Sequence, residues 1–216
     1  HHDTPAEAAA AAPSASANHS AASPSGGQSA AGGNVTTAAL KEWSAAVHAL
    51  LTGRQTVLLR KGGIGEKRFT VDADEFLLFP TVAHSHAERV RPEYRELLAG
   101  SAADSADDHI VIRAAAKVVD AVAVTRPEKL PDIEDLHIWT ADSVRSDRLD
   151  FRPRHRLTVL VVQAVRLAEP IRLPRAPEYG GCTSWVDLPV TAGRGEPVAD
   201  AAALALTARR VRDAVG

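Results

Sequence analysis

Two stretches of the sequence place cations where they could hold an anion. The first is Arg60-Lys61-Gly62-Gly63. Two cations stand beside two glycines, and glycines let backbone N–H groups face a ligand, so the stretch is a candidate phosphate site. The bland alternative is a tight turn with solvated cations. It is not a nucleotide-binding P-loop, because no Gly-x-x-x-x-Gly-Lys-Ser/Thr occurs. The second stretch runs from Arg145 to Arg175 and holds eight arginines against Asp147, Asp150 and Glu169. Arg148, Arg152, Arg154 and Arg156 flank a helix–strand junction. The planar guanidinium fork suits phosphate oxygens, and binding through it weakens with salt. The alternative is a solvated face with ion pairs to Asp147 and Asp150.

His84 and His86 follow Phe79-Pro80-Thr81. Either His84 or His137 could titrate near neutral pH and move protons, with Glu75 as a third acid–base group. The alternative for His84 is a hydrogen-bonding residue at a helix start. Trp139 reads as core, with base stacking as the minority reading, and Trp185 is a second aromatic that could touch a base. No metal or other cofactor is implied. There is no cysteine cluster and no His-Glu-x-x-His. A restriction-type nuclease needs an Asp followed by Glu-x-Lys to hold Mg²⁺. Asp72, Asp74 and Glu75 precede a strand, but Phe76-Leu77 stands where that motif needs its lysine. Gly181-Cys182-Thr183-Ser184 is not the Gly-x-Ser-x-Gly elbow of a serine hydrolase, and Cys182 reads as buried.

These residues need elements to position them. Thr36 or Thr37 caps a helix with Leu40, Trp43, Val47, Leu50 and Leu51 on one face, stopped at Gly53. Gln55–Leu59 is a short strand ending in the basic turn. Phe69–Val71 and Glu75–Phe79 read as two more strands, the latter closed by Pro80. His84–Leu98 is helical, and Gly100–Asp108 is a polar loop. Ile110–Val124 is one long strand or two short ones. Pro131–Arg148 is helical, and Leu157–Leu167 is the plainest strand of the chain. Pro170, Pro174 and Pro177 force an extended connection. Cys182–Leu188 is a strand, and Pro197 opens a last helix through Leu204 and Val211. The order does not alternate as a doubly wound sheet does. The expectation is α+β, a mixed or barrel-like sheet with flanking helices.

Composition sets outer limits on the 216 residues. Residues 1–34 contain no Leu, Ile, Val, Phe, Trp or Tyr and read as a disordered Ala/Ser/Pro/Gly leader. Residues 35–190 form the expected α+β domain, and 191–216 a C-terminal helix packed on it or trailing it. The leader lacks the charge and apolar run of a signal peptide. No stretch reaches the length of a membrane span, so no membrane partner is expected. Cys182 is the only cysteine, which excludes an internal disulfide and makes a reducing cytoplasm the expected location. The formal charge of −2 equals the surplus of Asp3 and Glu7 in the leader. The remainder is balanced, unlike a generic nucleic-acid binder.

Several short motifs in register carry a resemblance. They are Leu40-Lys41-Glu42-Trp43, Gly53-Arg54-Gln55, Leu58-Leu59-Arg60-Lys61-Gly62-Gly63-Ile64, and Phe76-Leu77-Leu78-Phe79-Pro80-Thr81 with His84 beyond. His137-Ile138-Trp139-Thr140 and Tyr179-Gly180-Gly181-Cys182-Thr183-Ser184-Trp185-Val186 follow. Together they resemble the bacterial domain-of-unknown-function family 1802 over about Leu40 to Leu188. That family carries no established activity. The occurrence of some members beside restriction-endonuclease-type domains implies a DNA or defence context. Gly53, Gln55, Leu58 and Arg60 fall on the Gly-x-Lys-x-x-Glu-x-Arg frame of ASCH domains, with only Gly and Arg agreeing. This weaker resemblance implies a PUA-like barrel.

Three functions follow as expectations. The first is a binding module for nucleic acid or another phosphate-bearing ligand, through Arg60, Lys61, Gly62, Gly63, Arg148 and Arg152, with His84 or Trp185 at a base. The second is an enzyme using His84, His137 and Glu75. The third is a structural or interaction subunit.

Overall fold

The computed structural model describes residues 35–61, 75–147, 157–181, 183–193 and 195–216. The expected leader, the strand at Phe69–Val71, and Gly62, Gly63, Arg148, Arg152 and Cys182 lie outside the described residues.

The fold is α+β, with six strands in one mixed sheet and helices flanking it. The strands are β1 (Thr37–Trp43), β2 (Val57–Lys61), β3 (Glu75–Thr81), β4 (His109–Ala123), β5 (Leu157–Pro174) and β6 (Trp185–Leu188). Their order is β2-β5-β4-β3-β1-β6. Only β1 and β3 are parallel, with Trp43 opposite Thr81. The other pairs are antiparallel. The sheet is open, so the barrel-like form of the expectation does not hold.

The first element differs most from its sequence reading. Thr37–Trp43 is a strand, and the helix α1 covers only Ser44–Leu51. Leu40, Trp43, Val47 and Leu50 fit a helical spacing, but β1 lies between β3 and β6, and its last five residues are buried on both faces. Two ladders of backbone hydrogen bonds outweigh a weak helix propensity. The helix does stop at Gly53, whose φ of 79° is readily adopted only without a side chain.

The remaining differences concern where elements end. β3 runs on through Pro80, which is paired with Glu42. His84–Leu98 is not one helix. It breaks into α2 (His86–Arg89), a 3-10 turn at Pro92–Tyr94, and α3 (Glu96–Ala102), which takes in Gly100. Ile110–Val124 is the single strand β4. The stretch from Pro131 to Arg148 holds a 3-10 segment (Pro127–Leu136), an extended turn, and α4 (Ala141–Asp147). His137 and Trp139 therefore lie on extended backbone, and Trp139 bridges to Val90.

β5 continues past Pro170 to Pro174 because the register jumps there. Ile112 pairs with Ile171, whereas Ala114 pairs with Arg166. The surplus residues Leu167–Pro170 form a bulge, where a proline N–H is not needed. Arg166 and Ala168 turn their N–H groups to Glu196 O (3.1 Å) and Gly193 O (3.1 Å). Pro197 therefore bridges to Val165 instead of opening the last helix. That helix, α5 (Ala201–Val215), starts at Asp200, whose carboxylate accepts the Ala203 N–H at 2.7 Å. It packs on β4, β5 and the 3-10 segment through Leu204, Val211 and Val215.

Candidate functional site

β1 is where separate stretches of the sequence converge. Arg60, near the end of β2, is fully buried. Its Nη1 donates to Lys41 O at 3.1 Å and to Glu42 Oε1 at 3.2 Å. The edge strand β2 is thus tied by a side chain to β1, which stands four places away in the sheet order. Twist brings these strands together, and the guanidinium bridges a seam that no backbone ladder closes among the described residues.

The other motifs meet at the same seam. Lys41 is buried, its N–H donates to Ser184 O at 2.9 Å, and its Nζ donates to Gly181 O at 3.2 Å. The ammonium also stands 6.0 Å from the Phe79 ring centre. Glu42 Oε2 accepts the Trp43 N–H at 3.1 Å, and Glu42 O accepts from Thr81 Oγ1 at 3.3 Å. Trp43 packs at a tilt against His86 (4.6 Å between ring centres) and meets Trp139 edge-on (6.2 Å). Arg89 lies over Trp43 at 5.9 Å and donates from Nε to Asp147 Oδ2 at 2.6 Å.

Electrostatics follows from burial. Removal from water pulls the Arg60 guanidinium below its ordinary value, and the Glu42 carboxylate opposes that pull. Burial lowers His86 to about 4, helped by the positive charge of Arg89. His86 is therefore a neutral imidazole at neutral pH. Its Nε2 and the Trp43 Nε1 are both buried without a hydrogen-bond partner.

A family model described as Domain of unknown function (DUF1802) matches residues 39–210. The chain belongs to the DUF1802 family. Among curated proteins and among solved structures, nothing matches it. The PUA-like resemblance is accordingly not confirmed. Residues from several of the motifs that carry the DUF1802 resemblance gather at β1, among them Lys41, Trp43, Arg60, Thr81, Trp139 and Gly181.

The DUF1802 structure distributes the expected site residues unevenly. Arg60 does not project from a turn, because its whole guanidinium is inside. Lys61 is the half-buried last residue of β2. His84 is exposed in the loop after β3. Trp185 is a core residue, packed edge-on against Phe76 at 5.2 Å, and does not offer its face to a base. His137 is buried, with Nδ1 accepting the Trp139 N–H at 3.1 Å. Glu75 opens β3 and His84 lies beyond its far end, about 20 Å away at strand rise. The acid–base trio therefore does not meet in one pocket. Among the described residues, no three His, Cys, Asp or Glu side chains gather as metal ligands. No helix among them is long and apolar enough to cross a membrane.

Sequence reasoning missed Lys41, Glu42 and Ser184 as site residues. Lys41 and Glu42 fall in the stretch expected to be helical and proved to be β1. The available signal was a charged pair inside an apolar run, immediately before a tryptophan.

Proposed function

We propose that this domain binds a phosphate-bearing ligand, above all nucleic acid, at the end of the sheet where β2 stops and β5 begins. The supporting observation is a single register: Lys61 is the strand partner of Leu157. Gly62 and Gly63 follow Lys61 in sequence, and Arg148, Arg152, Arg154 and Arg156 lie just ahead of Leu157. The two cation-bearing stretches therefore join the fold at neighbouring points. Lys61, Arg148 and Arg152 contact phosphates in this reading, and Arg60 holds β2 and β1 in position behind them. His84 is left as a solvent-facing group in the loop after β3. The single cysteine supports a reducing cytoplasm as the place of action.

The test is fluorescence anisotropy with labelled single- and double-stranded DNA and RNA between 50 and 200 mM salt, about the range over which phosphate contacts show. Binding should fall steeply with salt. Lys61→Ala, Arg148→Ala and Arg152→Ala should each lower the log–log salt slope by about one, with little change in sequence preference. A triple variant that binds as tightly as the parent, with the same slope, defeats the proposal.

A further inference from the structure

A cleft of about 360 Å³ lies beside the seam, with Trp139 common to both. Its walls come from the 3-10 segment, the extended turn and α4. Leu130, Trp139 and Val144 supply apolar surface, and Pro127 and Pro131 stiffen one side. This volume lies within the range of small-molecule sites.

The charges at its rim point one way. Glu128 and Glu134 both line the cleft and are both exposed. Neither carboxylate pairs with another residue among the described residues. The cation at the rim, Arg145, is already taken, since its Nη2 donates to Asp142 Oδ1 at 2.7 Å. His137, the remaining titratable lining residue, uses Nδ1 to accept the Trp139 N–H. Of the nearby acids, Asp135 pairs with Arg210 at 2.5 Å and Asp142 with Arg145 at 2.7 Å. The cleft thus presents an apolar interior under two negative charges with no ion-pair partner among the described residues. A phosphate would be repelled there, so this site is separate from the phosphate-binding reading.

We propose that the cleft binds a small organic cation, an ammonium carried on a flat apolar body. The body replaces water against Leu130, Trp139 and Val144, and the ammonium lies between Glu128 and Glu134. A carboxylate about 6 Å from an ammonium, at a dielectric between those of water and protein, is worth roughly tenfold in affinity.

Isothermal titration calorimetry of the full chain tests this with three probes of one shape: phenethylammonium, 2-phenylethanol and phenylacetate. The ammonium should bind saturably, at least about tenfold tighter than the alcohol, with phenylacetate weakest. Glu128→Gln with Glu134→Gln should bring the ammonium down to the level of the alcohol. Both residues are exposed, so the fold is not at stake. Ala141→Trp, at an exposed lining position, should block all three probes by filling the cleft. Equal binding of the three probes, no saturable binding of the ammonium, or a charge preference that survives the double Gln variant overturns the proposal.

Discussion

Replacing Arg60 by methionine tests the seam most directly. The guanidinium is fully buried and donates to Lys41 O and to Glu42 Oε1. Methionine keeps most of the volume and removes the charge and the donors. Glu42 is itself only 2% exposed, so its carboxylate would be left inside without that guanidinium. Breaking a buried pair from one side costs about 3–5 kcal/mol, because the remaining charge has no water to replace its partner. In a domain of this size each kcal/mol moves Tm by about 2–4 °C, so Arg60→Met should melt roughly 6–20 °C lower. Adding Glu42→Leu removes the buried carboxylate as well and should regain at least about half of the loss. Urea titrations and thermal melts of the parent, the two single variants and the double variant form a cycle that isolates the pair. The reasoning fails if Arg60→Met costs under about 1 kcal/mol, or if the double variant loses the sum of the two singles.

Other perturbations separate further parts of the argument. A methyl at Gly195 would stand 1.9 Å from Arg166 O, a backbone atom that cannot swing aside, so Gly195→Ala should cost roughly 2 kcal/mol or more in urea unfolding. Gly100→Ala meets nothing within 4 Å inside α3 and should be neutral or stabilising by up to about 1 kcal/mol; the same sign for both variants would refute the packing account. His86 has its folded value lowered to about 4, below the unfolded value, so its contribution is complete above pH 6.5 and is lost as pH falls towards 4. That difference is worth roughly 3 kcal/mol across the window. The urea midpoint should fall correspondingly between pH 7 and 4.5, and His86→Leu should remove that part of the slope. A parent slope no steeper than the variant's would refute the assignment.

The sequence by itself determined the strands rich in Val, Ile and Leu. Such residues bury well on a pleated surface whatever their partner, so β2, β3 and β4 were legible within a few residues of their ends, and β5 at its start. It also determined the stop at Gly53, because the backbone there needs a residue without a side chain. The core role of Trp139 was legible too. Its place on extended backbone was not, because a run of apolar residues does not state its own period when both faces are buried.

Only the tertiary structure decided β1, the bulge in β5 and the burial of Arg60. Each depends on a partner distant in the chain. Thr37–Trp43 becomes a strand because β3 and β6 offer it hydrogen bonds, and Pro170 is tolerated because β4 has no matching residue there. The pairing of Lys61 with Leu157 brings the points of attachment of the two cationic stretches together. Arg60 looked like a solvent-facing cation because a residue's type fixes its charge but not its surroundings. The sheet's twist carries it to Glu42, and that contact between sequence-distant residues makes the cation structural.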